Sequence, residues 1–246
     1  MIRSPEKNME KQKKVRRLSS VAATKQLRSE RTLMRLLDAA EELLEEKGLG
    51  GLSIPEIVRR AGSSVGGFYG RFRDKNELLR ALEERHFREL EARVDQLLDS
   101  RRWSGACAAT IVTAATSELV TVVRERKAVL AAFLWRAAQD SEILEEGLAF
   151  RQLATVRVRE LLLSECRDDF THPDPELAID LAVQAAFAFM QHHIVVGETR
   201  SGDRVLSDEE LAQELARMVC AYVGFSNLPD ETESPGSAQE RLGVVK

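Results

Sequence analysis

Residues 53–79 read SIPEIVRRAGSSVGGFYGRFRDKNELL, and this stretch decides the fold. Ser53-Ile-Pro-Glu56 has the form of a capping box: the Ser53 hydroxyl accepts from an orphan amide and Glu56 returns a bond to the cap. Gly62 stands where a left-handed residue ends a helix at least cost, and Ser63 or Ser64 caps the next helix. Asp74-Lys75-Asn76-Glu77 is a second capping box, opening a long helix predicted to run to about Leu98. Two short helices around a glycine-containing turn have helix-turn-helix spacing, and the second helix of such a pair enters the DNA major groove.

Immediately upstream, Leu33, Leu36, Leu37, Ala40, Leu43 and Leu44 recur at three- and four-residue steps, predicting a helix from about Arg31 to Lys47 that Gly48 ends. Its acidic face (Glu41, Glu42, Glu45, Glu46) is expected to point away from DNA. Ile57, Val58, Ala61, Phe68 and Phe72 are the expected core beneath the two short helices. Arg59 and Arg60 read as solvated or phosphate-facing. Residues 1–28 form a basic arm with Lys7, Lys11, Lys13 and Lys14 among its cations. Two readings of it stand: a solvated tail, or an arm that tracks phosphates or enters the minor groove.

Charge is distributed to match. The net charge of −4 divides into 17 Lys/Arg against 10 Asp/Glu in residues 1–75, and 19 against 30 in residues 76–246. A basic N-terminal third on an acidic body is the asymmetry of a chain of which one part faces phosphate. Downstream the pattern is helix after helix, predicted over 106–125, 127–139, 141–166, 175–197 and 207–223. Asp174 with Pro175 starts one sharply, and Ser207-Asp-Glu-Glu210 is a third capping box. The expected fold is all-α: a three-helix domain over 29–78, a larger helical domain over 79–225, and a disordered tail over 226–246. The helix opening at Asp74 joins both domains, so it is placed to transmit movement between them.

Cys107, Cys166 and Cys220 lack metal-ligand spacing and each reads as a small buried hydrophobe in an apolar helix. Adjacent His192 and His193 point about 100° apart on a helix and read as the polar end of its apolar face; His86 and His172 are isolated. No metal, cofactor or catalytic centre is expected, and there is no phosphate loop, HExxH or nucleophile elbow. No run approaches the roughly 20 apolar residues of a membrane span, and the N-terminus has no apolar signal region. A cytoplasmic protein is expected.

At the start of the second short helix, Val65, Gly66 and Gly67 are the candidates to approach base edges, Val65 against a thymine methyl. The two glycines have two readings, close backbone approach to DNA or tight packing on the preceding helix. Arg71 is a candidate for a guanine edge or a phosphate, and Ser53 and Ser64 for hydroxyl or helix-terminus contacts. Lys75 sits at a helix start, where its charge opposes the macrodipole, so phosphate binding rather than local stability is its expected role.

Ile57, Val58, Ala61, Gly62, Ser64, Gly66, Phe68, Tyr69, Phe72, Lys75, Leu78 and Leu79 stand in a gapless order that closely resembles the N-terminal domain of the TetR (tetracycline repressor) family. The resemblance covers about the first third of the chain. It implies that Tyr69 and Lys75 contact phosphates. Two positions depart from the family pattern: Ser63 replaces a small apolar residue, and Gly67 stands where Thr, Ser or Ala is common.

Specificity for more than a short half-site needs two copies of such a module. The 175–197 segment carries two apolar stripes. One contains Ala178, Leu181, Ala182, Ala185, Ala186 and Phe189; the other contains Ile179, Val183, Phe187 and Met190. A helix apolar on two faces is buried on two sides. The Ala-rich face, with Leu211, Leu215 and Met218 of the last helix, is the candidate homodimer surface, against the alternative of a purely internal core. The resemblance implies a four-helix interface from the last two helices of each subunit. It also implies a small-molecule effector pocket in the larger domain, with Phe133, Leu134, Trp135, Phe150, Phe187 and Met190 as candidate lining for an apolar or aromatic ligand. The same residues also read as ordinary core. Trp103 is placed near the domain junction. The expected function is a homodimeric DNA-binding transcriptional regulator, a repressor released from a palindromic operator by a small molecule. The alternatives are an activator or ligand-independent regulator with the same head, and a helical carrier or enzyme whose head has lost DNA function.

Overall fold

The apolar stripe of the first helix is buried as its spacing requires: Leu36, Ala40, Leu43 and Leu44 are wholly excluded from solvent. The computed structural model describes residues 29–197 and 200–225. The expected basic arm and C-terminal tail lie outside these residues. The chain forms two units, with the boundary between Glu83 and Glu84.

The first unit contains α1 (29–47), α2 (Ile54–Arg60), α3 (Val65–Tyr69) and the opening turns of α4 (Lys75–Leu97). Ile57, Phe68 and Leu78 are fully buried, so α1, α2, α3 and α4 each contribute to one small core. The acidic face of α1 has a structural use. Arg60 donates to Glu46 at 2.7 Å and reaches Glu42 at 3.5 Å. Arg60 therefore ties α2 to α1 and is not the solvated or phosphate-facing cation expected. Its hydrogen bond, ahead of the bare charge attraction, holds the Glu46 carboxyl below the usual range.

Helix α4 continues into the second unit, which adds α5 (Ala108–Glu125), α6 (Lys127–Ala137), α7 (Ser141–Glu165), α8 (Pro175–Val196) and α9 (Asp208–Val223). Trp103 is 1% exposed within this unit's core, beside residues such as Ile111, Leu162 and Val223, and its indole donates to the Leu97 carbonyl at 2.7 Å. That buried hydrogen bond makes Trp103 a core anchor of the second unit. Between α8 and α9 lies a two-residue antiparallel hairpin, β1 (Arg200–Ser201) and β2 (Arg204–Val205), which the helical reading did not anticipate. The end of the described chain is tied down by the Phe170–Phe225 bridge, by ring contact at 5.0 Å, and by a Thr171 hydroxyl donating to the Gly224 carbonyl.

The caps divide by neighbourhood. Asp174 accepts from the Leu177 amide, and the Ser207–Glu210 box forms with both arms. The Ser53–Glu56 box does not: Ser53 makes no cap bond, and Glu56 is drawn to Lys47 of α1 and to the Ser53 hydroxyl. At α4 only half the box forms, because the Glu77 carboxylate accepts from the Arg73 amide at 2.6 Å while its own amide donates to Asp74. Cys166 and Cys220 are buried, and burial pushes their thiols up to about 11 and about 12. Cys107 departs from expectation: it is exposed, at the N-cap of α5 rather than within an apolar helix.

Candidate functional site

Helix α3 is short, and its position rests on three local features. Gly62 takes φ +55 in the turn, a conformation that costs a side-chain-bearing residue about 1 kcal/mol or more. Ser64 accepts from the Gly67 amide at 2.9 Å and so closes the N-terminus. Phe68, fully buried, packs against Phe72 at 5.5 Å and edge-on against Tyr69 at 5.4 Å. With Phe68 turned inward, the opposite face carries Ser64, Val65, Gly66 and Tyr69 to solvent. Val65 is 53% and Tyr69 55% exposed, large values for an apolar and an aromatic side chain.

The two glycines have different explanations. A Cβ on Gly67 would lie 2.8 Å from Ser63 Oγ and 3.2 Å from Ser64 Oγ, so the crowding there comes from the turn and cap serines rather than from the preceding helix. The two departures from the family pattern are thus one: the Ser63 hydroxyl occupies the space a side chain at 67 would take. A Cβ on Gly66 would have only Ser64 Oγ near it, at 4.0 Å. Nothing described within the chain requires glycine at position 66.

Arg71 and Lys75 are placed differently from expectation. The Arg71 guanidinium donates to the Gly67 carbonyl at 2.8 Å and to the Ser29 carbonyl and hydroxyl at 3.3 Å, while its buried Nε lacks a partner among the described residues. It stitches the end of α3 to α1, and its charge at a helix C-terminus is favourable. It is a clamp and not a side chain reaching outward for a base. Lys75 is half-buried and donates to the Leu52 carbonyl at 3.0 Å, so local structure does account for it, contrary to the sequence argument. Among the described residues its other two ammonium protons have no such bond. Ser53 is half-buried, with its hydroxyl toward Glu56. A residue that sequence reasoning passed over is Arg35: exposed on α1, it has Nη1 3.7 Å from the position a Gly62 Cβ would take. Only the α1–turn packing, invisible in one dimension, brings that cation to the turn.

The second unit encloses a cavity of about 290 Å³, walled by α4 to α9. Phe133, Leu134, Phe150, Phe187 and Met190 line it as expected. Trp135 does not; it is 60% exposed, because adjacent residues on α6 point in different directions and Phe133 and Leu134 take the inner side. Phe87, from α4, is an additional lining residue, 5.9 Å ring to ring from Phe150.

The predicted dimer stripe also divides. Ala178, Ala182, Ala186, Leu211 and Leu215 are buried within the chain, where small side chains let helices approach closely. Phe189 is half-buried against the cluster that holds Leu211 and Leu215. Leu181, Ala185 and Met218 remain at the surface, joined by Leu177 and Tyr222, which sequence reasoning missed. Among the described residues no cluster of three or more metal-ligating side chains occurs, and no helix is long and apolar enough to cross a membrane.

In chain order the structure sets a helix-turn-helix with a buried anchor ahead of a larger helical unit. Residues 36–82 match the family described as bacterial regulatory proteins, tetR family. Over 50 residues the chain is 46% identical to YvdT of Bacillus subtilis, described as an uncharacterized HTH-type transcriptional regulator; the match spans 20% of this chain and 26% of that protein. Two solved structures share the fold. A candidate TetR-family regulator from Mesorhizobium loti has a TM-score of 0.64 at 19% identity, covering 79% of this chain and 96% of that one. Salmonella enterica GusR has a TM-score of 0.57 at 16% identity, covering 78% and 95%. The similarity to the tetR family is thus carried by the N-terminal helix-turn-helix segment, and the chain spans about a quarter of the length of the curated relative it matches.

Proposed function

We propose that this protein works as a homodimeric, cytoplasmic transcriptional repressor that binds a palindromic operator and is released by a small organic effector. The observation that carries this reading is the α3 surface: Ser64, Val65, Gly66 and Tyr69 exposed on a helix whose other side is locked by Phe68. In the proposed complex the Val65 methyls meet a thymine methyl and Gly66 lets the backbone approach a base pair. The Tyr69 hydroxyl and the two remaining Lys75 protons go to phosphates, and the exposed Ser64 at the helix start adds a further phosphate contact. Arg35 supplies charge at the turn. Ser53, Gly67 and Arg71 shape the helix rather than touch DNA.

Dimerisation is assigned to the exposed apolar side of α8 and α9, where Leu177 (51%), Leu181 (44%), Met218 (45%) and Tyr222 (44%) stand open. Burying that patch against a second copy removes it from water and sets two heads against two half-sites. The cavity is assigned to the effector. Its apolar walls and volume, near the lower end of the range for sites that hold small organic ligands, support a largely apolar molecule. No catalytic step is part of this reading; the chain acts by binding.

The test is enrichment of source-genome fragments on the purified protein, followed by gel shifts over a salt series. The expected outcome is a small set of fragments containing an inverted repeat, with affinity falling steeply as salt rises. Weak retention of all fragments alike would contradict the proposal.

A further inference from the structure

The cavity is apolar except at its edge, and the charges on its wall are not equivalent. Three charged side chains line it: Arg93, Glu118 and Arg151. Arg93 donates to Glu118 at 3.2 Å and to Glu125 at 3.1 Å, so this end of the wall is internally neutralised. The Thr116 hydroxyl is likewise occupied, donating to the Val112 and Thr113 carbonyls. Arg151 is half-buried on α7, and among the described residues no carboxylate or carbonyl accepts from its guanidinium. A half-buried guanidinium without an anion is a cation held ready for one. The Gln191 amide, also on the wall, brings no charge.

Position gives the cation its meaning. Leu144, Leu148 and Arg151 follow at four- and three-residue steps on α7, so they share one face of that helix. Both leucines line the cavity yet are 46% and 42% exposed, which makes this face the mouth. Inside, the rings of Phe87, Phe150 and Phe187 form an arc across α4, α7 and α8, at 5.9 and 6.3 Å between centroids. Between the two leucines is Gly147, where a Cβ would lie 4.0 Å from Phe87 Cζ.

We propose that the effector is an amphipathic organic monocarboxylate, its apolar body between the Phe87, Phe150 and Phe187 rings and its carboxylate on Arg151 at the mouth. A planar guanidinium takes a carboxylate through two parallel N–H···O bonds, the stronger class of hydrogen bond. The inference rests on the effector-cavity reading above, and goes beyond it in naming the head group and the side chain that takes it.

The probes are decanoate and decanol, equal in chain length and different in head group, titrated calorimetrically into the full-length protein at neutral pH. The wild type is expected to bind decanoate about tenfold or more tightly than decanol. Arg151→Ala should lower decanoate affinity by about the same factor and leave decanol unchanged. Gly147→Leu, which fills the space before Phe87, should weaken both, and melting temperatures of both variants show that they fold. The proposal is overturned if the wild type prefers neither probe, if it binds neither, or if folded Arg151→Ala holds decanoate as tightly as wild type does. The wild-type comparison stands even if a variant fails to fold. Retention of genomic DNA is read separately: decanoate binding with no selective DNA retention supports the head-group assignment and overturns the regulator reading instead.

Discussion

A Cβ on Gly67 meets the Ser63 hydroxyl oxygen at 2.8 Å, whereas one on Gly66 reaches nothing nearer than 4.0 Å. This contrast generates a prediction that separates folding from recognition. Gly66→Ala places a better helix former in α3 and should leave stability unchanged or raise it by up to about 1 kcal/mol. The same change should weaken operator binding, because the added methyl stands on the exposed face; urea melts and gel shifts on the same preparation check both. Tyr69→Phe should weaken binding to all duplexes alike with no change in melting. At His86 the governing effect is solvation. The ring is 5% exposed, stacked edge-on to Phe133, and its Nε2 lacks a partner among the described residues. Burial first, then the charges of Arg93 and Arg85, bring its pKa down from 6.5 to about 4. The folded chain keeps it neutral while the unfolded chain protonates it, so stability falls as pH drops from about 6.5 towards about 4. His86→Leu should lose that part of the pH dependence in thermal melts at fixed ionic strength. A variant with the same slope as wild type in that window would count against a buried neutral His86. The Gly62 turn, the Ser64 cap and the buried Phe68 were legible in sequence because each depends on neighbours within a few residues. The roles of Arg71 and Lys75 were not, since their partners, Ser29 and Leu52, are 42 and 23 positions away.

Helix α9 begins at a box whose two arms both form, with the Glu210 amide on Ser207 Oγ at 3.2 Å and the Ser207 amide on Glu210 at 2.8 Å. Ser207→Ala should therefore lower stability by about 1 kcal/mol, read by denaturant melts. Ser53→Ala, at a box that does not form, should cost clearly less. The comparison of the two boxes explains what was legible at this scale. Helix spans from α5 to α9 fell within about two residues of expectation, because glycine, proline and cap residues act locally. Whether a box closes depends on competing donors that the box pattern does not include: Glu56 is drawn to Lys47 on a different helix, and the Arg73 amide displaces that of Asp74 as the partner of the Glu77 carboxylate. The β1–β2 hairpin went unread because two residues per strand are too few to show an alternating pattern.

For the whole molecule, hydrophobic stripes reveal that a helix is buried on two sides without revealing which side faces its own chain. The Ala178–Ala182–Ala186 row is internal, and the surface row runs through Leu177, Leu181 and Ala185 with Met218 and Tyr222 of α9. Leu181→Asp with Met218→Glu should yield a folded monomer by sedimentation, with helical content retained and operator affinity greatly reduced. A dimer that persists would place the interface elsewhere. The basic first third and acidic remainder imply that DNA affinity comes from one end of the chain, so Lys75→Ala should lower the slope of log affinity against log salt by about one. The most direct measurement takes a duplex selected by the wild type from a random-sequence pool and compares its binding by wild type and Gly66→Leu. The account predicts an inverted repeat as the selected sequence, and a loss of at least about tenfold for a variant that melts like wild type. Equal affinity of the two proteins, or a pool that never converges, would contradict DNA reading by the exposed face of α3.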